Sequence, residues 1–197
     1  MEHYYSKNPQ VVSKEACIKA NLRGRDWEFI TDAGVFSKSG VDFGTRLLIE
    51  SVSVEPNEKV LDLGCGYGVI GVVLGIACQA KMTMTDINER AISLAKRNCQ
   101  RYQLANVSFY TSDGFESIPQ QKFQHIITNP PIRAGKVKIY SMFEQTLDYL
   151  EASGSFWSVI HKKHGADSAV KKLENLYKSV EIVNKKSGYQ IIKAHNS

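Results

Sequence analysis

Lys59-Val60-Leu61-Asp62-Leu63-Gly64-Cys65-Gly66-Tyr67-Gly68 is an apolar run of strand length that breaks into three alternating glycines. The run predicts a buried strand from Lys59 to Leu63, and the glycines predict a turn where backbone comes close to a neighbour. The apolar stretch Val69 to Cys78 that follows reads as a helix. A strand that enters a helix through such a turn marks the ligand crevice of an open, parallel α/β sheet.

Outward from this turn the alternation repeats. Lys81 to Thr85 reads as a second strand ending at Asp86, and Glu89 to Tyr102 as an amphipathic helix with Ala91, Ile92, Leu94 and Ala95 on one face. Further strands are predicted at Val107 to Tyr110, Phe123 to Thr128 and Ser155 to Ile160, with a helix from Ile139 to Leu150 before the last. A helix from Ala166 to Tyr177 leads to two strands, Val180 to Asn184 and Tyr189 to Lys193, which Lys185-Lys186-Ser187-Gly188 joins as a hairpin. That hairpin reverses one strand. The expected fold is therefore α/β, a Rossmann-like seven-stranded sheet with one antiparallel strand and helices on both faces.

Residues 1–52 behave differently. Cys17 to Leu22 and Trp27 to Thr31 flank Arg23-Gly24-Arg25-Asp26 as a small β-hairpin, and Asp42-Phe43-Gly44-Thr45 starts a helix from Arg46 to Val52. This N-terminal extension is expected to cap the crevice of the main domain, residues 53–197.

The chain has 197 residues, 43% hydrophobic and 23% charged, a globular make-up that can bury roughly 70% of the extended-chain surface. No apolar run approaches the ~18 residues of a membrane span, and Met1-Glu2-His3-Tyr4-Tyr5-Ser6-Lys7 lacks a signal core. A cytoplasmic protein with no membrane partner is expected. Cys17, Cys65, Cys78 and Cys99 form no Cys-x-x-Cys pair, so no metal site or disulfide framework is suggested and they read as small buried residues. A formal charge of +5 permits a polyanionic partner without demanding one.

Four successive strand ends carry residues able to do chemistry. At the first, Gly66-Tyr67-Gly68-Val69-Ile70-Gly71 formally matches a dinucleotide fingerprint, with Asp86 as the acid for an NAD ribose. Two features favour a sulfonium cofactor, S-adenosylmethionine, over NAD. The Asp62 carboxylate beside the turn would repel a pyrophosphate and attract a cation, and the match begins two residues into the glycine run rather than at the strand end. At the second end Asp86, followed by Ile87, can accept from both ribose hydroxyls, or equally cap the helix beginning Asn88-Glu89-Arg90. At the third, Asp113-Gly114 can set a carboxylate near an adenine amine, or be a plain turn.

The fourth end is Thr128-Asn129-Pro130-Pro131. The lone pair of an exocyclic amine on a nucleobase is delocalised into the ring, which makes the nitrogen a poor nucleophile. Two acceptors facing the amine hydrogens favour a pyramidal nitrogen with its lone pair directed outward. Asn129 supplies an amide oxygen and Pro130 a backbone carbonyl, held stiffly by the restricted dihedrals on either side of Pro131. Alone, the tripeptide is equally a turn; its place after three ligand-competent strand ends carries the argument.

These residues resemble the class I S-adenosylmethionine-dependent methyltransferases and, within them, the Asn-Pro-Pro amino methyltransferases. Gly34-Val35-Phe36-Ser37 with Asp42-Phe43-Gly44-Thr45-Arg46-Leu47-Leu48, Asp62 to Gly68 and Asn129-Pro130-Pro131 are similar to the small-subunit ribosomal RNA guanine-N2 methyltransferases of the RsmC type. The resemblance implies that Asp62, Gly64, Cys65, Gly66 and Gly68 form the cofactor turn. It implies too that Asp86 and Ile87 hold ribose, that Asp113 and Gly114 lie near adenine, and that Thr45 and Phe36 line the cleft. It implies an activity on guanine N2 of 16S ribosomal RNA, free or in an assembling particle. The chain departs from many relatives in having Ile132 where an aromatic follows Asn-Pro-Pro, and it lacks room for their second, degenerate domain, which implies a short single-domain form.

On the substrate side, Ile132 offers apolar contact and Arg133 a plane for stacking or a phosphate contact. Arg133, Lys136 and Lys138 follow the fourth strand, and His161, Lys162, Lys163 and His164 the fifth, so both groups are expected on the lip of the cleft as phosphate contacts, with a solvated basic surface as the alternative. Rival activities are methylation of adenine N6 or of a protein glutamine amide; a cofactor-dead RNA-binding module is the non-enzymatic rival.

Overall fold

The structure is a computed structural model that describes residues 11–196. The stretch Met1 to Lys7, read above as lacking a signal core, lies outside the described residues. The first two strands, β1 (Ala16–Leu22) and β2 (Arg25–Thr31), pair antiparallel around a two-residue turn. Both turn residues, Arg23 (φ 51°) and Gly24 (φ 70°), are left-handed, the conformation that matches strand twist in a tight hairpin. Arg23 is held there by its own guanidinium, which donates to the carbonyls of Ile49 at 3.0 Å and of Val52. The helix α1 (Phe43–Ser51) follows, capped by Asp42.

The seven remaining strands form one sheet: β3 (Lys59–Leu63), β4 (Lys81–Asp86), β5 (Val107–Thr111), β6 (Phe123–Thr128), β7 (Leu150–His161), β8 (Ser179–Lys186) and β9 (Tyr189–His195), in spatial order β5-β4-β3-β6-β7-β9-β8. Only β9 runs against its neighbours, β7 and β8, so the sheet has one reversed strand as expected. The helices α2 (Val69–Ala77), α3 (Glu89–Arg101), α4 (Lys136–Tyr149) and α5 (Ala166–Glu174) cover both faces. Strand alternation divides the core between them. Val60, Ile127, Trp157 and Ile191 pack with α1, α2, α3 and the hairpin, while Leu61, Ile126, Phe156 and Ile192 pack with α4 and α5.

Two stretches expected in loops fall inside strands. β7 starts at Leu150, directly after α4, because Ser153-Gly154 belongs to an irregular strand pairing rather than a loop. A Cβ on Gly154 would lie 3.0 Å from the carbonyl oxygens of Glu151 and Phe123, the close backbone approach that a glycine inside a strand signals. The last hairpin turns on Ser187-Gly188 alone, both left-handed, which leaves Lys185 and Lys186 within β8.

The N-terminal segment shares a core with the sheet. Trp27 meets Tyr102, at the end of α3, edge-to-face and Phe29 packs against the same ring at a tilt, and buried Asn98 donates to the carbonyls of Ile30 and Tyr67 at 2.9 and 2.8 Å. From there residues 32–42 cross to the sheet edge. The Asn88 amide donates to the Gly34 carbonyl at 2.9 Å and Arg90 pairs with buried Asp32 at 2.8 Å, which ties this crossing to the start of α3. Among the described residues, no helix is long and apolar enough to cross a membrane.

Candidate active site

β3 pairs with β4 on one side and β6 on the other, so the connections leave the sheet in opposite directions between β3 and β6. A cavity of about 370 Å³ opens there, within the size range of small-molecule sites, which is roughly 300–1,000 Å³. Gly64, Cys65, Gly66, Asp86, Ile87, Asp113, Gly114 and Thr45 all line it, as do Asn129, Pro130, Pro131, Ile132, Arg133 and Phe36.

The glycine turn is a bare cradle. Gly64 (φ 78°) and Gly66 (φ 56°) are left-handed, and a Cβ on either would meet nothing within 4 Å, so backbone faces open space. Asp86 holds the turn in place, with Oδ2 accepting from Gly66 N–H at 2.8 Å and Oδ1 from Asn88 N–H at 2.9 Å. Asn88, not Asp86, caps α3. Burial raises the Asp86 carboxyl above its ordinary value, and the residue lines the cleft. Thr85 Oγ1, which also lines the cleft, is buried without a hydrogen-bond partner among the described residues.

Five candidate residues stand outside the cleft wall. Asp62 is fully buried beneath the turn, where Oδ2 accepts from Gly71 N–H at 3.0 Å and Oδ1 has no partner among the described residues. Burial pushes its carboxyl up to about 7, with the Asp86 charge adding to the shift. It therefore acts on the cleft only through the turn above it. Gly68 serves packing: a Cβ there would lie 3.0 Å from Ala95 Cβ, so its bareness lets α2 start against α3. Lys136 sits with its ammonium 5.1 Å from the Tyr140 ring, and Lys162 and Lys163 occupy an exposed 3₁₀ turn beyond the end of β7. Lys138, grouped above with the phosphate contacts, lies on the cleft wall but is paired with Asp113 at 2.7 Å, which neutralises both. Of the cysteines, Cys17 is exposed, whereas Cys65, Cys78 and Cys99 are buried, and burial raises the Cys65 thiol well above its ordinary range. Cys65 is therefore a small protonated wall residue. Among the described residues no cluster of three or more His, Cys, Asp or Glu is built to hold a metal ion.

The structure also brings in residues not expected there, Asp42, Tyr67, Met142 and Tyr189, and it sets His161 and His164, expected on the lip, in the cleft wall itself. His161 and Tyr189 are cross-strand partners at the ends of β7 and β9, with rings edge-to-face at 4.7 Å. The one available signal was Gly188-Tyr189, a glycine turn followed by an aromatic.

Around the tripeptide the geometry is specific. Thr128 Oγ1 donates to the Leu63 carbonyl at 2.7 Å and locks the end of β6 to the end of β3. Asn129 Nδ2 donates to Thr45 Oγ1 at 2.8 Å and to Asp42 Oδ1 at 3.4 Å, which leaves its amide oxygen for the cleft. The Pro131 carbonyl is taken by Ala134 N–H at 2.8 Å, whereas Pro130 lines the cavity.

Fold and site together define a class I methyltransferase that uses S-adenosylmethionine. The chain belongs to the methyltransferase small domain family, whose model matches residues 26–193. It is 48% identical over 197 residues to the uncharacterized protein YbxB of Bacillus subtilis, covering 98% of each chain. With ribosomal RNA small subunit methyltransferase C of Haemophilus influenzae it shares 44% identity over 103 residues, 52% of this chain and 31% of that one. Ribosomal RNA large subunit methyltransferase G of Psychromonas ingrahamii is 29% identical across 94% of this chain and 50% of its own length. The chain thus spans half or less of these two ribosomal RNA methyltransferases. Among solved structures, the 16S rRNA N2 methyltransferase RsmC of T. thermophilus, in complex with AdoMet and guanosine, superposes with a TM-score of 0.84. The match covers 96% of this chain and 52% of that one at 22% identity, and shows the shared fold.

Proposed function

We propose that this protein methylates an exocyclic amine of ribosomal RNA, and specifically guanine N2 of the small-subunit RNA. The observation that carries the proposal is the Asn129 amide, held by its nitrogen against Thr45 and Asp42 so that its oxygen is free to accept beside Pro130. When bound, S-adenosylmethionine would supply an activated methyl with a neutral thioether as leaving group, which would keep the bonding electron pair; the target amine would gain the methyl and lose a proton to water.

The chain's own task is alignment. Asn129 Oδ1 and the Pro130 carbonyl accept the two amine hydrogens and hold the nitrogen pyramidal, its lone pair directed toward the glycine cradle. No general base is needed, because the nitrogen becomes acidic only after it has gained the methyl. Asp86 and the backbone of Gly64 and Gly66 hold the cofactor, and the Asp113–Lys138 pair stands at the cleft wall where the adenine end would lie. Ile132 gives the base apolar contact from one side. The His161–Tyr189 ring pair, which lines the same cavity, supplies the aromatic surface that position 132 lacks. A base in paired RNA has to be swung out first, and lysines along the β7 to β9 edge offset that cost through phosphate contacts.

Unmodified small ribosomal subunits and bare 16S RNA incubated with methyl-labelled S-adenosylmethionine, followed by mass mapping of the labelled nucleoside, test the proposal. Label on N2-methylguanosine is the expected result. Label on adenine or on protein would overturn the guanine assignment, and calorimetric cofactor binding without any transfer would identify an RNA-binding module instead.

A further inference from the structure

A primary amide has two similar ends, and only one serves an amine acceptor. Turned by half a rotation, Asn129 would present its NH2 group to the target amine and repel it. Its close contact, Thr45 Oγ1 at 2.8 Å, does not choose between the two orientations, because a hydroxyl both donates and accepts. The second contact does. A carboxylate only accepts, so with Asp42 Oδ1 at 3.4 Å the end of Asn129 that faces it is the nitrogen.

Asp42 is itself firmly placed. It is the N-cap of α1, with the same Oδ1 accepting from Thr45 N–H at 3.0 Å, and Ser37 Oγ donates to Oδ2 at 3.4 Å. Ser37 in turn has its carbonyl held by the Tyr67 hydroxyl at 3.3 Å, from the glycine turn. On the other side the first turn of α1 is seated on Tyr189: a Cβ on Gly44 would lie 2.9 Å from that ring, and Phe43 packs on it at 5.6 Å. The carboxylate therefore stands at a junction of the glycine turn, α1 and the Asn-Pro-Pro loop.

We infer that Asp42 is a positioning residue for methyl transfer: its carboxylate sets the orientation of the Asn129 amide, and through it presents Oδ1 rather than Nδ2 to the target amine. The inference rests on the amine-methylating reading of the site, and its test separates the two. Asp, Asn and Ser are nearly equal as helix caps, so a residue that merely capped α1 would tolerate both replacements. Asp42→Asn keeps an acceptor oxygen within reach of Asn129; Asp42→Ser keeps the cap but is too short to reach it.

The direct readout is the Asn129 side-chain NH2 signal in asparagine-labelled protein by nitrogen NMR, assigned with Asn129→Gln. Slow hydrogen exchange is expected in the wild type and in Asp42→Asn, and fast exchange in Asp42→Ser. With 16S RNA as acceptor, Asp42→Ser should lower kcat roughly 10- to 100-fold with the KM for RNA and cofactor affinity unchanged, and Asp42→Asn should recover most of that loss. Full kcat in Asp42→Ser, equal loss in both variants, or unaltered NH2 exchange in Asp42→Ser would overturn the inference. Altered exchange in Asp42→Ser, with no methyl transfer even by the wild type, would support the orienting contact and overturn the proposed reaction.

Discussion

The backbone N–H of Lys162 donates to the carbonyl of Gly188 at 2.8 Å. Gly188 is left-handed (φ +81°), and a Cβ on it would lie 2.6 Å from His161 Nε2, so only glycine closes the last hairpin onto the end of β7. The contact brings Lys162-Lys163 alongside Lys185-Lys186, four exposed lysines that pair with no carboxylate among the described residues. Two basic segments far apart in the chain thus form one edge beside the cleft. Replacing Lys185 and Lys186 with Ala should make the dependence of log K on log salt for a labelled single-stranded RNA shallower by about 1.4, since each lost phosphate contact contributes about 0.7. An unchanged slope would make these lysines solvated surface only.

Asn129→Ala would remove one of the two acceptors proposed for the target amine. Turnover should fall by on the order of 10²-fold or more, while calorimetric affinity for S-adenosylmethionine stays close to wild type. Near-normal turnover would sink the assigned role of the Asn-Pro-Pro loop.

Gly71 is a packing glycine. A Cβ there would lie 2.1 Å from Met84 Cε and 2.8 Å from its sulfur, in a region with no exposed surface on either side. Gly71→Ala should destabilise the fold by about 1–3 kcal/mol through overpacking, and adding Met84→Ala should recover part of that loss in a double-mutant cycle measured by urea unfolding. Additive losses would show that the two side chains do not compete for the same space.

Two buried groups give opposite pH dependences. Asp62, pushed up to about 7 by burial, takes its proton more readily folded than unfolded, so the stability it contributes is present below about 4 and lost as pH rises through 7. Asp62→Asn should therefore gain stability relative to wild type between pH 5 and 8. His125 behaves in the reverse sense. Burial lowers its pKa below 6.5, outweighing the Glu58 carboxylate 2.9 Å from its Nε2, which pulls the other way, and Trp157 Nε1 donates to its Nδ1 at 3.2 Å, a contact that only the neutral ring accepts. The unfolded chain binds that proton first, and stability falls as pH drops below about 6.5. His125→Gln should flatten that acid limb. Denaturant midpoints across this range, wild type against each variant, check both signs.

Much of the fold is legible in the sequence because its signals are local. Strand and helix periodicities, the glycine turn after β3 and the stop at Pro130-Pro131 arise from side chains and dihedrals within a few residues of one another. The reversed strand was readable for the same reason, from a short turn. Where local signals conflict, reading fails: Ser153-Gly154 is polar and glycine-containing like a loop, yet backbone packing keeps it in β7. The single-residue roles were less legible. Asp62 lies next to the turn in sequence but points beneath it, since strand alternation sends its side chain to the face covered by α2.

By itself, then, the sequence determined the layered α/β fold, the four strand ends that line the cleft and the Asn-Pro-Pro loop, since each depends on neighbours along the chain. Only the tertiary structure decided what those ends meet. Asn129 reaches Thr45 across 84 residues, Lys138 cancels Asp113, and His161 meets Tyr189, because strand order sets β3 beside β6 and β7 beside β9. Such contacts depend on which strands pair and on the face each residue takes there, and no local periodicity encodes either.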